Sequence, residues 1–300
     1  MRALQFTTYG GPEVLEWAEA PEPHPGPGQV RIAVRAASVN PIDWKTFGGL
    51  MSGGKPMSGT GYLGYDAAGV VDEVGSGVTG VSVGDEVFGN GRATQAEYAL
   101  LGAWAAKPPA VDWAVAAAAG VAGETSERAL RMLGVTAGDT LFVDGGAGGV
   151  GSVAVQVAVA RGATVIASAG EANQDYLREL GAVPVRYGAG VGDRVRAAAA
   201  GPIDAVFDVA GKTPIEDLIA LVPEPSQVLT IANFTAGPSG AQVTSGGADS
   251  RPADAFALVA DLLAEKKLAI PVRTFPFEEA AEAYRISQAG HGRGKLVLVP

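Results

Sequence analysis

Residues 140–168 read TLFVDGGAGGVGSVAVQVAVARGATVIAS, and this stretch decides the fold. A β-like run at 140–144 feeds a turn of glycines. A helix-patterned segment follows, Gly162 closes it, and a second β-like run occupies 164–168. Gly146, Ala147, Gly148, Gly149, Val150 and Gly151 fit G-x-G-x-x-G in the setting that pattern requires, a strand before and a helix after. Glycines there let the backbone approach a pyrophosphate, and free N–H groups at the helix start meet its negative charge. The competing reading is a tight turn that only packs a helix on a sheet. The flanking strand–helix–strand unit, about thirty residues long as such units are, favours a dinucleotide cradle.

Composition narrows what surrounds the cradle. The chain has 300 residues, a length that fits about two domains, each large enough to bury a core. Its net charge of −10 argues against nucleic acid or an anionic membrane as partner, since either needs a basic face. An anionic cofactor is then held by local N–H groups and a few placed cations. There are no cysteines and only two histidines, His24 and His291, far apart in sequence. That excludes thiolate nucleophiles and cysteine-ligated zinc, and a histidine metal centre is not expected. His24, in a Pro/Gly loop, reads as an exposed loop residue. The first residues, MRALQFTTYGG, lack the apolar core of a signal peptide, and no apolar run reaches about 18 residues. A cytoplasmic protein is the expectation.

The chain changes character near residue 110. Before it come short β-like runs at 2–6, 14–18, 30–38, 69–74, 85–88 and 96–101, separated by Pro/Gly turns such as PEPHPGPGQ. Such a series suggests a small barrel or sandwich. Residues 112–134 are helix-prone and alanine-rich, with Gly120 and Gly123 expected to break them. From 140 onward β-like and helical segments alternate, which implies a parallel sheet covered on both faces. Residues 233–251 have no clear period and read as a long loop. The tail reads as helix, strand, helix and a last strand at 295–299.

Five further stretches accompany the glycine unit in order: SVNPIDWK at 38–45, GYDAAGVVDEVGSGV at 64–78, SVGDEVFG at 82–89, LRELGA at 177–182 and GRGKLVLV at 292–299. With them the chain resembles, nearly end to end, the zinc-free quinone oxidoreductases (zeta-crystallin-like) of the medium-chain dehydrogenase/reductase superfamily. The resemblance implies an α/β protein of two parts. A GroES-like β-barrel domain would comprise 1–111 and 252–300, and a Rossmann-type doubly wound parallel sheet 112–251, with the active site in the cleft between them. It also implies a homodimer. Without a metal to polarise a simple carbonyl, hydride passes more easily into an acceptor that spreads its own charge, such as a quinone or an α,β-unsaturated ketone.

For the substrate side, Asn40, Asp43 and Lys45 lie in SVNPIDWK beside Pro41. Asn40 is placed to donate to a carbonyl or to the nicotinamide ribose, and Lys45 to stabilise an enolate, as the matching lysine is thought to do in enone-reducing relatives. The plainer alternative is that Asn40 and Asp43 bond turn N–H groups and Lys45 points into water. Tyr62 and Tyr65 line a substrate slot or pack in the core. Thr125 matches a family threonine near the nicotinamide, or caps a helix. Asn233 and Phe234 follow the last strand of the nucleotide domain, where such sheets bind ligands. Lys295, in GRGKLVLV, is counted with the cofactor contacts on the resemblance.

The choice of cofactor turns on the end of the second strand. An NAD site places Asp or Glu about 20 residues past the glycines. This chain has Ser168, which leaves room for a 2′-phosphate, so NADPH is expected over NADH. Relatives that prefer NADPH carry a lysine where Asn173 stands and a tyrosine matching Tyr187. The missing lysine is a departure, Glu171 is unhelpful to a phosphate, and Arg178 or Arg186 is left to compensate or to sit in solvent. Other acceptors fit the same hydride addition, as in an enoyl-thioester reductase or a tailoring enzyme of secondary metabolism. A non-enzymatic, NADPH-binding crystallin-like role is the third reading.

Overall fold

The computed structural model describes residues 1–246, 252, 254–290 and 292–300. His291 and the end of the 233–251 stretch lie outside the described residues. In chain order the first elements are β1 (Arg2–Phe6), β2 (Glu16–Glu19), β3 (Val30–Ser38), α1 (Pro41–Phe47), β4 (Gly61–Tyr62), β5 (Asp66–Val74), β6 (Glu86–Arg92) and β7 (Tyr98–Ala106). Then come α2 (Trp113–Met132), β8 (Thr140–Asp144), α3 (Gly149–Ala160), β9 (Thr164–Ala169), α4 (Gln174–Glu179), β10 (Val183–Arg186), α5 (Val191–Ala198) and β11 (Ala205–Asp208). The rest are α6 (Ile215–Ile219), β12 (Val228–Thr230), β13 (Gln242–Val243), α7 (Ala255–Ala264), β14 (Val272–Pro276), α8 (Ala280–Ala289) and β15 (Lys295–Val299). Two compact units result, one of 1–121, 256–265 and 270–300, the other of 122–255 and 266–269.

The first unit is the GroES-like part. Its main sheet runs β14-β15-β3-β5-β6-β7, and a further β3–β7 pairing, Val30 opposite Leu101 and Ala33 opposite Tyr98, curls β3, β5, β6 and β7 into a closed barrel. A smaller sheet, β2-β1-β4, is antiparallel throughout. Alternate residues of these strands, among them Leu4, Phe6, Ile32, Val34, Val87 and Leu101, fill one core, as period-2 patterning requires. The C-terminal tail completes it. Tyr284 on α8 is fully buried with its ring edge-on to Phe47 of α1, at 5.1 Å between centroids.

The second unit is a parallel doubly wound sheet in the order β10-β9-β8-β11-β12-β13. Strand order reverses between β8 and β11, the switch point where such sheets leave a crevice beyond their carboxyl ends. Phe142, Ile166 and Val206 point to the face covered by Val191 and Val195 of α5 and Leu218 of α6. Ala167, one residue on from Ile166, points the other way, toward Val155 of α3 and Leu177 of α4. Strands buried on both faces explain the near-continuous apolar runs of this half.

Three local expectations change. SVNPIDWK is not only a turn, because Pro41 opens a seven-residue helix, a position where its missing N–H costs nothing. The 233–251 stretch is not all loop, since β13 pairs in parallel with β12, Leu229 beside Gln242 and Thr230 beside Val243. Helix α2 passes through Gly120 and Gly123 unbroken for 20 residues. Gly120 is there for packing. A Cβ on it would lie 2.6 Å from Asp66 Cβ and 3.1 Å from an Asp66 carboxylate oxygen.

Replacing Gly120 with Ala therefore sets helix propensity, which favours Ala by about 1 kcal/mol, against overpacking on Asp66 of about 1–3 kcal/mol. A lower melting temperature for Gly120→Ala is expected in a thermal melt. A higher one would mean that Asp66 yields freely.

Candidate functional site

In the second unit, β8 delivers the chain to the switch point and Gly145, at φ +95°, turns it into a left-handed conformation. Helix α3 then starts from Gly148 with no side-chain cap, so the first-turn N–H groups of Gly149, Val150 and Gly151 have no partner within the helix. Gly148, Gly149 and Val150 are half-buried, and Ala147 lies inside the turn. Gly151 must be glycine, because a Cβ would sit 2.2 Å from the Gly145 carbonyl oxygen. At Gly146 it would sit 2.7 Å from Ala167 Cβ. The glycines thus press α3 against the strand end while a row of N–H groups stays uncommitted. Unsatisfied donors at the positive end of a helix dipole suit a pyrophosphate.

A polar row lies beneath this turn, with Ser168, Asp144, Asp208 and Thr230 side by side in register on β9, β8, β11 and β12. Ser168 Oγ donates to Asp144 Oδ1 at 2.5 Å and accepts the Gly145 N–H at 2.9 Å. Thr213 Oγ1 donates to the other Asp144 oxygen at 2.7 Å. Asp208 accepts from the N–H groups of Ala210 (3.0 Å) and Gly211 (2.7 Å) and from Thr230 Oγ1 (2.7 Å). Burial raises the Asp208 carboxyl above its ordinary value; the Gly211 and Thr230 hydrogen bonds oppose this and the nearby Asp144 charge adds to it. These carboxylates act as clamps that fix the loops around the cradle.

Ser168, expected to leave room for a 2′-phosphate, lies beneath the turn. Its side chain is fully buried and faces the sheet, because Asp144 and the Gly145 N–H hold its hydroxyl. Gly170 follows the end of β9 in extended backbone. A Cβ there would lie 3.3 Å from Cε1 of Tyr187, whose ring is more than half exposed. Asn173 is half-buried just before α4, and its N–H donates to the Gly170 carbonyl at 3.0 Å. Asn233 and Phe234 do follow β12 at the carboxyl edge. The Asn233 N–H donates to Thr230 Oγ1 at 3.0 Å, its Oδ1 accepts from Thr235 Oγ1 at 2.8 Å, and Phe234 is exposed. Thr125 lies inside α2, not at a helix start, and its hydroxyl meets Glu124 and Arg128 at 3.4 Å each.

In the first unit SVNPIDWK organises a buried polar cluster. Asn40 is 2% exposed and fully engaged. Its Nδ2 donates to Asp66 Oδ1 at 2.7 Å and to Ser38 Oγ at 3.3 Å, and its Oδ1 accepts from Lys295 Nζ at 2.5 Å. Those bonds, rather than a free donor, are what the Asn40 amide presents. Asp43 accepts the Asn40 N–H at 2.8 Å and the Gly64 N–H at 3.2 Å, pinning the start of α1 to the β4–β5 connection. Asp66 also accepts Ser38 Oγ at 2.7 Å and the Val121 N–H at 2.8 Å. Gln95 joins in through its Nε2, which donates to the Ser38 carbonyl at 3.1 Å and to Asp43 Oδ2 at 3.4 Å, and its Oε1 accepts the Tyr284 hydroxyl at 2.8 Å. Lys295, expected among the cofactor contacts, is 5% exposed and directs its charge into this cluster. Lys45 is half-buried on α1, its Nζ 5.8 Å from the centre of the Trp44 ring, and Tyr62 is exposed on β4.

Sequence reasoning had not singled out Asp66, Gln95, Tyr284, Asp144 or Asp208. A signal for three of them was present: LFVD and AVFD each end a β-like run on an acid, and DAAGVV begins one on it.

Matches to known proteins agree with this layout. Residues 26–162 match the alcohol dehydrogenase GroES-like domain, and 180–298 the zinc-binding dehydrogenase family. The chain is 30% identical to the NADPH-dependent alkenal/one oxidoreductase, chloroplastic, of Arabidopsis thaliana, over 100% of this chain and 80% of that one. Among solved structures it resembles the quinone oxidoreductase of Coxiella burnetii, with 32% identity, TM-score 0.86 and coverage of 100% and 99%. A mycobacterial protein solved in complex with NADPH matches with 28% identity, TM-score 0.87 and full coverage of both chains.

The buried cluster also sets a pH dependence. Burial pushes Asp43 up from 3.8 to about 7; the Asn40 and Gly64 N–H groups oppose it, and the Asp66 charge adds to it. A carboxyl raised in the folded state binds more protons there than in the unfolded chain across that window. Its contribution to stability is therefore full below its unfolded value and lost as pH rises through about 7, by at most about 1.4 kcal/mol per pH unit. Urea unfolding from pH 4.5 to 7.5 is expected to show that decline. Asp43→Asn should be less stable overall but with a shallower slope. Parallel slopes would show that Asp43 titrates normally.

Proposed function

Because the chain belongs to the quinone oxidoreductase family of the medium-chain dehydrogenase/reductase superfamily, we propose that it reduces quinones and α,β-unsaturated carbonyls with NADPH as donor. The observation that carries this reading is the glycine turn after β8. Uncapped N–H groups open α3 there, at the switch point of a parallel sheet, and no side chain fits between Gly145 and Gly151. The N–H groups of Gly149, Val150 and Gly151 would hold the pyrophosphate. Thr125 and the backbone of Asn233 and Phe234 would meet the nicotinamide end. Bound there, NADPH supplies a hydride from nicotinamide C4.

The chain's own residues would supply the rest. When an enone accepts hydride at its β-carbon, charge collects on the carbonyl oxygen and a proton from water completes the α-carbon. Lys45 is the cation assigned to that oxygen, worth most where water is excluded. Asn40 and Asp43 act through α1, fixing the helix on which Lys45 rides, and Tyr62 and Tyr65 border the acceptor.

We take the enzyme to be zinc-independent. The sequence offers no cysteine and only two histidines, so the ligand sets of zinc dehydrogenases cannot be assembled. A homodimer completes the reading on the family resemblance.

The test is loss of NADPH absorbance with phenanthrenequinone, a simple enone and a crotonyl thioester. Turnover with the quinone or the enone is expected. Tight NADPH binding without turnover of any acceptor would favour a binding role. Lys45→Ala should lower kcat for the enone about tenfold or more if Lys45 meets the developing charge. An unchanged kcat would remove it from the mechanism.

A further inference from the structure

We propose that Arg186 is the residue that reads the 2′-phosphate in this chain, and that Glu171 competes with the phosphate for it. This rests on the NADPH reading above and names the residues that would set the preference. The expected lysine is absent, and Asn173 stands in its place. The charge must come from elsewhere near the end of β9, and three arginines are candidates.

Their partners separate them. Arg178 forms an equally exposed pair with Asp175 of its own helix at 2.5 Å, but unlike Arg186 it is not among the residues that line the cavity beside Tyr187. Arg194 gives its donors to backbone carbonyls, to Arg186 at 2.9 Å, Ala189 and Gly188 at 3.0 Å, and Tyr187 at 3.3 Å. It braces the turn after β10 and has little left for a ligand. The Arg186 guanidinium pairs only with Glu171 among the described residues, at 3.1 Å between side chains 69% and 74% exposed. An exposed pair of that kind is weakly held. A phosphate dianion, offering oxygens to the guanidinium fork, outcompetes a single carboxylate.

The surroundings are already shaped for such a group. Arg186, Tyr187, Ala189 and Arg194 line a cavity of about 310 Å³. That is roughly ten times the ~30 Å³ share of one water in the liquid, ample for a phosphate with part of a ribose. Tyr187 lies over Gly170, where a side chain would crowd its ring. Gln174 Nε2 ties the ends of β9 and β10 together through the carbonyls of Ala169 (2.9 Å), Val185 (3.2 Å) and Gly170 (3.3 Å). Gln174 and Arg194 thus fix the frame, while the Arg186–Glu171 pair remains exchangeable. Glu171 carries the opposite tendency, since a carboxylate just past this strand suits the free ribose hydroxyls of NAD. The balance between these two side chains decides which cofactor is taken.

Calorimetric titration of the full chain with NADP⁺, NAD⁺, adenosine 2′,5′-bisphosphate and ADP tests this without relying on turnover. Both positions are exposed, and circular dichroism confirms that the variants fold. Arg186→Leu is expected to weaken NADP⁺ and the bisphosphate about tenfold or more, with NAD⁺ and ADP within about twofold. Glu171→Gln is expected to tighten NADP⁺ and the bisphosphate, the two ligands with a 2′-phosphate, about threefold. Wild-type preference for NADP⁺ that survives in Arg186→Leu would overturn the assignment and leave the NADPH reading standing. A wild-type preference for NAD⁺ would overturn both.

Discussion

No side chain fits between Gly145 and Gly151, and the second unit is arranged around that constraint. A methyl at residue 151 would lie 2.2 Å from the Gly145 carbonyl oxygen. With only hydrogen there, α3 begins immediately beyond β8 and its first N–H groups stay free of partners among the described residues. The turn is held from below by Ser168, whose hydroxyl links Asp144 to the Gly145 N–H. Asp144 and Asp208 extend the same row to the loops after β11 and β12 through Thr213 and Thr230. A site for an anion thus rests on buried carboxylates. Those carboxylates are consumed by hydroxyl and N–H donors from the fold itself, which leaves the helix dipole as the field above them.

The first unit buries charge differently. Asp66 gathers Ser38, Asn40 and the Val121 N–H, and Asn40 passes the network on to Lys295. Breaking one partner of such a cluster costs far more than the cluster gains over an apolar core. Its use is positional. It joins β3, α1, β5, α2 and β15, elements far apart in sequence, and it fixes the helix that carries Lys45. Burial pulls Lys295 below its ordinary value, opposed by the Asp66 and Asp43 charges.

Much of the fold was legible because it is local. The strands at 30–38, 140–144 and 295–299 follow from runs with β-branched residues bounded by turn residues, and the glycine turn is a short-range pattern. Local signals failed where a distant residue decided the outcome. Gly120 looks like a helix breaker until Asp66, more than fifty positions away, is seen to need its space. Strand β13 is two residues long and is defined by its pairing with β12. Ser168 sits at the right place in sequence to face a ribose, but its hydroxyl is taken by Asp144 and the Gly145 N–H. Asn40 and Lys295 are recognisable from their motifs, yet that each satisfies the other depends on the tail returning to the barrel. Arg186 and Glu171 were visible as charges; that they pair at a cavity while Arg194 is held by backbone carbonyls was not.

The central claim is that this chain delivers hydride in a conjugate sense, through residues rather than through zinc. It is tested most directly by turning over a simple enone with NADPH deuterated at nicotinamide C4, in the presence of a strong chelator, and locating the deuterium by NMR. Deuterium on the β-carbon of a saturated ketone is the expected result. Deuterium on the carbonyl carbon of an allylic alcohol, with turnover abolished by the chelator, would contradict the account.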